Sequence, residues 1–467
     1  MAGPSTDPRE LTAGAMPPKR RGTELALLGF ALVITLAAQC IVDLTLTGSL
    51  RPELVTFGAW ITALWAVAHL VIRKWAPYAD PLLLPAVALL VGLGLAVIHR
   101  LDLVAGSGSR QNAPVQLIWA TLGVGLFVAV LVVVRDHRAV SRYAYTLALV
   151  GLVLIAAPAV LPGAVSQVNG AKIWIRVAGF SIQPGEFAKI CLVIFFAAYL
   201  VDKRDVLALA SRKVAGLELP RGRDLGPVLL AWALSLAVLA FESDLGQSLL
   251  LFGIFMVMLY IATERASWLL IGLTLFVGGC YAAYHVFGHV RVRVEVWLDP
   301  FTYRSGIGYQ SVQALFGLGS GGLFGTGLGG GRPDQVPVAN SDFIVAGIGE
   351  ELGLFGLVAV LMVYLFLVER GLRTSLIVRD PFGKLLAGGL AFTLAWQVFV
   401  IVGGVTGLLP LTGISTPFVA YGGSSLVANF ALVALLARIS DAARRPAAPP
   451  AARPQQLGDA PTEVVQS

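Results

Sequence analysis

The sequence predicts an all-α, polytopic integral membrane protein of about twelve transmembrane helices, and three observations carry that prediction. The 467 residues are 57% hydrophobic and 13% charged, with a mean hydropathy of +0.80, whereas soluble domains carry roughly 25% charged residues. Apolar stretches of about 20 residues recur, the length that crosses a bilayer core as a helix with every backbone group paired internally. With the N-terminus in the cytoplasm, 24 of the 34 Lys and Arg fall on the inner side and 9 on the outer, Lys189 lying within a span. That is the excess of cations expected of cytoplasmic loops.

In chain order, residues 1–22 read as a disordered cytoplasmic N-terminus. Two spans follow within 23–79, Glu24–Asp43 and Glu53–Arg73. A membrane core over 80–440 then holds Pro81–His99, Pro114–Val134, Tyr143–Leu161, Glu186–Val201, Leu225–Phe241, Leu245–Ala262, Ser267–Phe287, Phe343–Val368, Leu385–Leu409 and Pro417–Ala437. A long external loop, 288–341, interrupts it, and the Pro/Ala-rich residues 441–467 read as a disordered cytoplasmic tail. The net charge of +7 is therefore mostly topology, facing an anionic leaflet, and nucleic acid is excluded as a partner. Cys40, Cys191 and Cys280 fall inside apolar spans and read as reduced packing residues, so no redox function follows.

Three connections break the pattern of short turns. Pro162–Pro184 leads into GEFAK, which places Glu186 and Lys189 at i and i+3 on one helix face. In FESDLGQ, Glu242 and Asp244 occupy a tight outward turn. Either these are functional intramembrane carboxylates, or the turn is solvated and Asp244 caps the next helix. In HVRVRVEVWLDP, valines at 290, 292, 294 and 296 alternate with charged residues, which favours an extended segment along the outer surface that delivers Asp299 to the interface.

His285 and His289 have an i, i+4 spacing but lack the Glu of a zincin motif, and read as interfacial residues rather than ligands. No residues are assigned to a metal. The run Gly317–Gly331 contains two G-x-G-x-x-G matches, but no strand precedes them and no soluble cofactor compartment faces them. They read as backbone that bends tightly and admits a polar chain or lipid headgroup. Asp299, between Leu298 and Pro300, is either a turn former or a carboxylate held at the outer interface near Arg291, Arg293 and Arg304. Arg304 and Gln310 can bind phosphate or sugar hydroxyls, or line a wet loop. Asp342 and Ser341 suit the N-terminus of the tenth span, whereas Glu350 and Glu351 lie too deep to be caps. Thr416, Tyr421, Ser424, Ser425 and Asn429 fall in the last span, where polar residues also serve as packing glue.

Taken together, NGAKIWI, QPGEFAK, ESDLGQ, WLDPF with GIGYQ, SDFIVAGIGEELG and TPFVAYGGSSL, in that order between Pro81 and Arg438, resemble the SEDS family of membrane proteins, the RodA, FtsW and SpoVE group. PLTGISTPFVAYGGSSL followed by ARISDAARR looks more like the actinobacterial RodA branch than the division-specific FtsW branch. Three positions depart from the family pattern, Gly185, Ser243 and Asn340, and the two spans before Pro81 are additional to the usual ten.

The resemblance implies a peptidoglycan glycosyltransferase of the bacterial cytoplasmic membrane that polymerises lipid II during elongation, with both termini cytoplasmic and the active site facing outward. It assigns the catalytic aspartate to Asp299. It places Lys172, Arg176, Glu186, Lys189, Asp342, Glu350 and Glu351 at polar cavity positions, with Arg304, Gln310, Ser424 and Ser425 as further substrate-binding candidates. A class B penicillin-binding protein transpeptidase and other elongation-complex membrane proteins are the implied partners. No cofactor is assigned; a divalent cation, Mg²⁺ or Mn²⁺, is the alternative to Lys and Arg as counter-charge for the pyrophosphate. Two other classes stay open: a lipid II flippase, which would also use broken helices and intramembrane charge, and an inert scaffold.

Overall fold

A computed structural model describes residues 19–106, 111–168, 171–177, 180–209, 211–214, 217–220, eight positions between 226 and 242, and 244–446. Among the described residues, eleven helices are long and apolar enough to cross a membrane. They are α1 (Arg21–Thr47), α2 (Glu53–Trp75), α3 (Leu83–Ala105), α4 (Asn112–Val133), α5 (Ala144–Val160), α6 (Pro184–Leu209), α7 (Leu245–Thr263), α8 (Ala266–Val286), α11 (Ile344–Ile377), α12 (Pro381–Val405) and α13 (Gly423–Arg444). Two shorter helices, α9 (Gly288–Leu298) and α10 (Tyr309–Gly321), lie between α8 and α11. The protein is an all-α polytopic membrane protein. The expected span Leu225–Phe241 falls mainly outside the described residues, as do both expected tails.

The spans pack around α13, in which every residue from Ser424 to Asp441 is buried. Small residues permit this, because helices in a membrane associate through close backbone approach rather than through a hydrophobic driving force. Gly123 of α4 accommodates the Phe430 ring, which a Cβ at that position would meet at 2.3 Å. Gly94 of α3 lies against the Val419 backbone. At the end of the bundle holding the chain's first helical residue, Arg438 donates to the carbonyls of Trp75 and Leu131, and Asp441 accepts from Tyr78 N at 2.8 Å. Arg444 pairs with Asp80 at 2.6 Å. The ARISDAARR motif thus ties α13 to the α2–α3 turn. A buried cluster of Arg21, Glu24 and His69 joins α1 to α2 there, and Arg21 also donates to Ala79 O.

The opposite end carries the candidate site. Between α5 and α6 lie two short antiparallel hairpins, β1–β2 (Gln167–Val168, Ala171–Lys172) and β3–β4 (Ile175–Val177, Phe180–Ile182). A third hairpin, β5–β6 (Ser211–Val214, Leu217–Pro220), follows α6.

The 288–341 segment holds two helices, α9 and α10, joined and followed by turns, and the stretch expected to be extended, residues 290–297, lies in α9. The Val/charge alternation misleads because a helical stripe crosses it: Val290, Arg293, Val296 and Trp297, at i, i+3, i+6 and i+7, are buried or half-buried on one face. The last span begins at Gly423 rather than Pro417, since Phe418 at φ 66° and the extended Gly422 break the helix before it.

Candidate active site

Asp299 follows the last residue of α9, and its backbone N–H closes that helix on Glu295 O at 3.0 Å. Its side chain is exposed, with Oδ2 accepting from Thr302 Oγ1 at 2.6 Å and Oδ1 from Thr302 N at 3.2 Å. These donors, led by the Thr302 hydroxyl, hold the carboxyl below its usual range, so Asp299 is an anion at neutral pH. Trp297 and Pro300, which flank it in sequence, line a cleft of ≈ 100 Å³ closed on the other side by the turn after α12. Trp297 Nε1 fixes that wall by donating to Gly407 O at 2.8 Å. Gln310 also lines the cleft, whereas Arg304 is exposed.

One helical face further in, Arg293 donates to Leu411 O (3.1 Å) and Thr412 O (2.9 Å). Its charge faces Asp244 and Asp342. Burial pushes the Asp342 carboxyl up, against the Ser341 hydroxyl bond and Arg293. Asp342 is not the expected helix cap: α11 begins after Phe343 with no side-chain cap, and the carboxyl instead bonds the Ser341 hydroxyl at 3.2 Å and lies in the field of Arg293. Asp244 does cap α7, accepting from Gln247 N at 2.9 Å. Gln247 in turn donates to Gly185 O at 3.1 Å. One turn along α6, Glu186 and Lys189 are paired at 2.5 Å, both almost wholly buried. Lys189 also donates to Gln397 Oε1 (2.8 Å), whose Nε2 donates to Ser415 O (3.1 Å).

The glycine-rich run is occupied by the protein itself. Inside α11, Gly353 has φ 69° and breaks the helix, which frees backbone groups that a membrane interior must re-pair. Thr326 N and Gly327 N donate to the Glu350 and Glu351 carbonyls, both at 3.0 Å, while Leu354 N and Phe355 N donate to Gly322 O (2.9 Å) and Leu323 O (3.1 Å). The close approach expected of these glycines is thus to α11, not to a lipid headgroup. Arg100 of α3 completes the arrangement: Nε donates to Glu351 Oε1 (2.6 Å), Nη1 to Asp334 Oδ1 (3.1 Å) and Nη2 to Gly331 O. Glu350 Oε1 accepts from Arg332 N at 2.7 Å. Both glutamates accordingly hold the run in place.

The structure thus brings Asp342, Glu186 and Lys189 into one polar path that also includes Arg293, Asp244 and Gln397, and it sets Gln310 in the wall of the cleft, with Asp299 exposed next to the lining residue Pro300. Lys172 and Arg176 stand on the hairpins, where Arg176 donates to Gln167 O. Ser424 receives Gln183 N at 2.8 Å, and Ser425 bonds Asn429 within α13, which makes both buried packing contacts. Arg100 and Gln397 were not picked out from sequence. Each is one polar residue at or in an apolar run, and only contacts more than two hundred residues away reveal its role.

The Thr302 contact carries a prediction. Thr302→Val removes the stronger donor, so the Asp299 pKa rises, and any reaction needing its anion loses activity at a higher pH than in the wild type. Polymerisation rates measured across the acid range test this; superimposable profiles would disconnect Asp299 ionisation from the rate.

Comparison with known proteins places this geometry. Residues 81–445 match the family profile FtsW/RodA/SpoVE, described as "Cell cycle protein". The chain is 54% identical to the peptidoglycan glycosyltransferase RodA of Mycobacterium tuberculosis over 452 residues, 96% of each chain, and equally to that of Mycobacterium leprae. It is 36% identical to a probable peptidoglycan glycosyltransferase FtsW of Geobacter metallireducens over 70% of this chain and 84% of that one. A chain solved in a peptidoglycan synthase complex that coordinates polymerization and crosslinking superposes with a TM-score of 0.61 at 26% identity, covering 78% of this chain and 97% of that one. The rod shape determining protein RodA of Thermus thermophilus shares the fold at a TM-score of 0.55 and 24% identity, covering 78% of this chain and 96% of that one. A profile match over residues 81–445, together with 54% identity along almost the whole chain, shows that this protein belongs to the FtsW/RodA/SpoVE family.

Proposed function

We propose that the protein is a peptidoglycan glycosyltransferase of the elongation type that polymerises lipid II into β-1,4 glycan strands. The observation that carries this reading is the 54% identity over 96% of both chains to RodA enzymes of that activity. Asp299 is the general base. Its anion takes the proton of the acceptor sugar 4-hydroxyl as that oxygen attacks the donor anomeric carbon, and undecaprenyl pyrophosphate leaves from the opposite face. The leaving group departs as a stabilised anion, so the complementary need is positive charge. Arg293 in the wall of the cleft, together with Arg304, Lys172 and Arg176, are the cations assigned to it. Lys189 balances Glu186, and the pair shapes the polar path beneath.

In this reading the site end faces outward and both termini lie in the cytoplasm, as the distribution of Lys and Arg supports. A class B penicillin-binding protein is the partner that crosslinks the emerging strand; co-extraction of the pair in mild detergent tests it. Purified protein in liposomes, assayed in parallel for glycan formation and lipid II translocation, separates enzyme from flippase. Glycan without translocation is the expected result, and translocation alone would overturn the assignment. Because the counter-charge is assigned to the chain's own cations, chelation with EDTA is expected to lower the rate less than about tenfold. A larger loss would transfer that role to a divalent ion.

A further inference from the structure

A second cavity, of ≈ 370 Å³, opens between α1–α2 and α3–α4 at the site end of the bundle. Its rim is polar. Asp43, 1% exposed, bonds His99 Nε2 through Oδ1 at 2.8 Å, and its Oδ2 lies 3.5 Å from Arg51 N. The Arg51 guanidinium, over a third exposed, stands 3.5 Å from Glu53. Deeper in, beside Gln39 of α1 and Thr56 of α2, the wall becomes mostly apolar through Phe57 and Trp60 of α2 and Leu117 and Ile118 of α4. Phe57 and Trp60 lie four and seven residues beyond Glu53, about 6–10 Å further along the helix. A charged rim above an apolar shaft, between helices that cross a membrane, is the shape of an amphiphile site rather than one for a soluble metabolite.

We propose that this cavity binds a phospholipid with an amine-bearing headgroup, one acyl chain running down the apolar shaft. The rim chooses the headgroup. It offers two carboxylates against one guanidinium and one imidazole, so a phosphodiester alone adds a third negative charge. A headgroup that also carries an ammonium sets its phosphate at Arg51 and its amine at Glu53, beside Asp43. The site needs α1 and α2, which precede the 81–445 stretch of the family profile but lie largely within the 96% overlap with the mycobacterial RodA proteins. The lipid would rest close to the glycine-rich run: His99 precedes Arg100, and Gly329 faces Thr45 at the end of α1. The proposal does not depend on the reaction assigned above.

The test is lipid retention by the purified full-length protein, measured by native mass spectrometry after exchange with phosphatidylethanolamine or phosphatidylglycerol of matched acyl chains. Wild type is expected to retain phosphatidylethanolamine at least tenfold better. Ala113→Phe, which sets a ring into the cavity wall at the start of α4, is expected to lose that retention. Glu53→Gln, at an exposed side chain, is expected to abolish the preference between the two lipids, and it carries the test alone if Ala113→Phe does not fold. Equal retention of both lipids by wild type, or an unchanged preference in Glu53→Gln, overturns the proposal. Retention undiminished in a folded Ala113→Phe does so too.

Discussion

Asp299→Asn is expected to lower glycan polymerisation by about 10²–10⁴-fold, the range that a positioned base contributes, while thermal unfolding and lipid II binding stay as in the wild type. The separation of the two effects follows from geometry. Asp299 is exposed, and its side-chain contacts are local, to Thr302 and the Phe301 backbone N–H, so the bundle does not lean on it. Asparagine keeps an oxygen to accept the Thr302 N–H but cannot take a proton. A purified Asn variant that polymerised lipid II at the wild-type rate would remove Asp299 from the reaction. A variant that lost lipid II binding as well would recast it as a substrate contact.

Why the spans were legible and the site only partly so follows from what each depends on. A membrane helix is local: about 20 apolar residues must be contiguous, so α1 to α8 and α11 to α13 could be drawn nearly in place, apart from the span outside the described residues. The pairing of Glu186 with Lys189 and the cap at Asp244 are local too, three residues apart in each case. In α9, by contrast, the stripe that turns inward includes Arg293, which any hydropathy pattern counts as outward. Its reason to face in is Asp244 and Asp342, on two other elements. The break at Gly353 was invisible for the same reason, because an apolar run reads as one helix until the glycine-rich run is seen supplying the missing backbone bonds. Glu350 and Glu351 looked anomalous in sequence, and they are. What the sequence did not reveal was that part of their charge is answered by Arg100, 251 residues from Glu351.

Arg100 is where the second large effect is expected. Arg100→Ala should destabilise the protein by about 3–5 kcal/mol, because it leaves a buried carboxylate without its counter-charge. Arg100 and Glu351 are each 1% exposed, so water does not replace the lost partner. The same guanidinium binds three separate segments: Glu351 beside the helix break, Asp334 in the short turn Pro333–Gln335, and the carbonyl of Gly331 at the end of the glycine-rich run. Its loss should therefore loosen the run against α11 and raise hydrogen exchange at Thr326 N and Gly327 N, which are paired to Glu350 and Glu351. Neutralising the orphan separates the causes. If the cost is the unpaired charge, Arg100→Ala with Glu351→Gln recovers much of the stability while exchange at Thr326 and Gly327 stays fast, since Gly331 and Asp334 remain unheld. If the double variant is as unstable as the single one, the guanidinium's hydrogen bonds, rather than its charge, hold the break, and the coupling in a double-mutant cycle would be no larger than the cost of Glu351→Gln by itself.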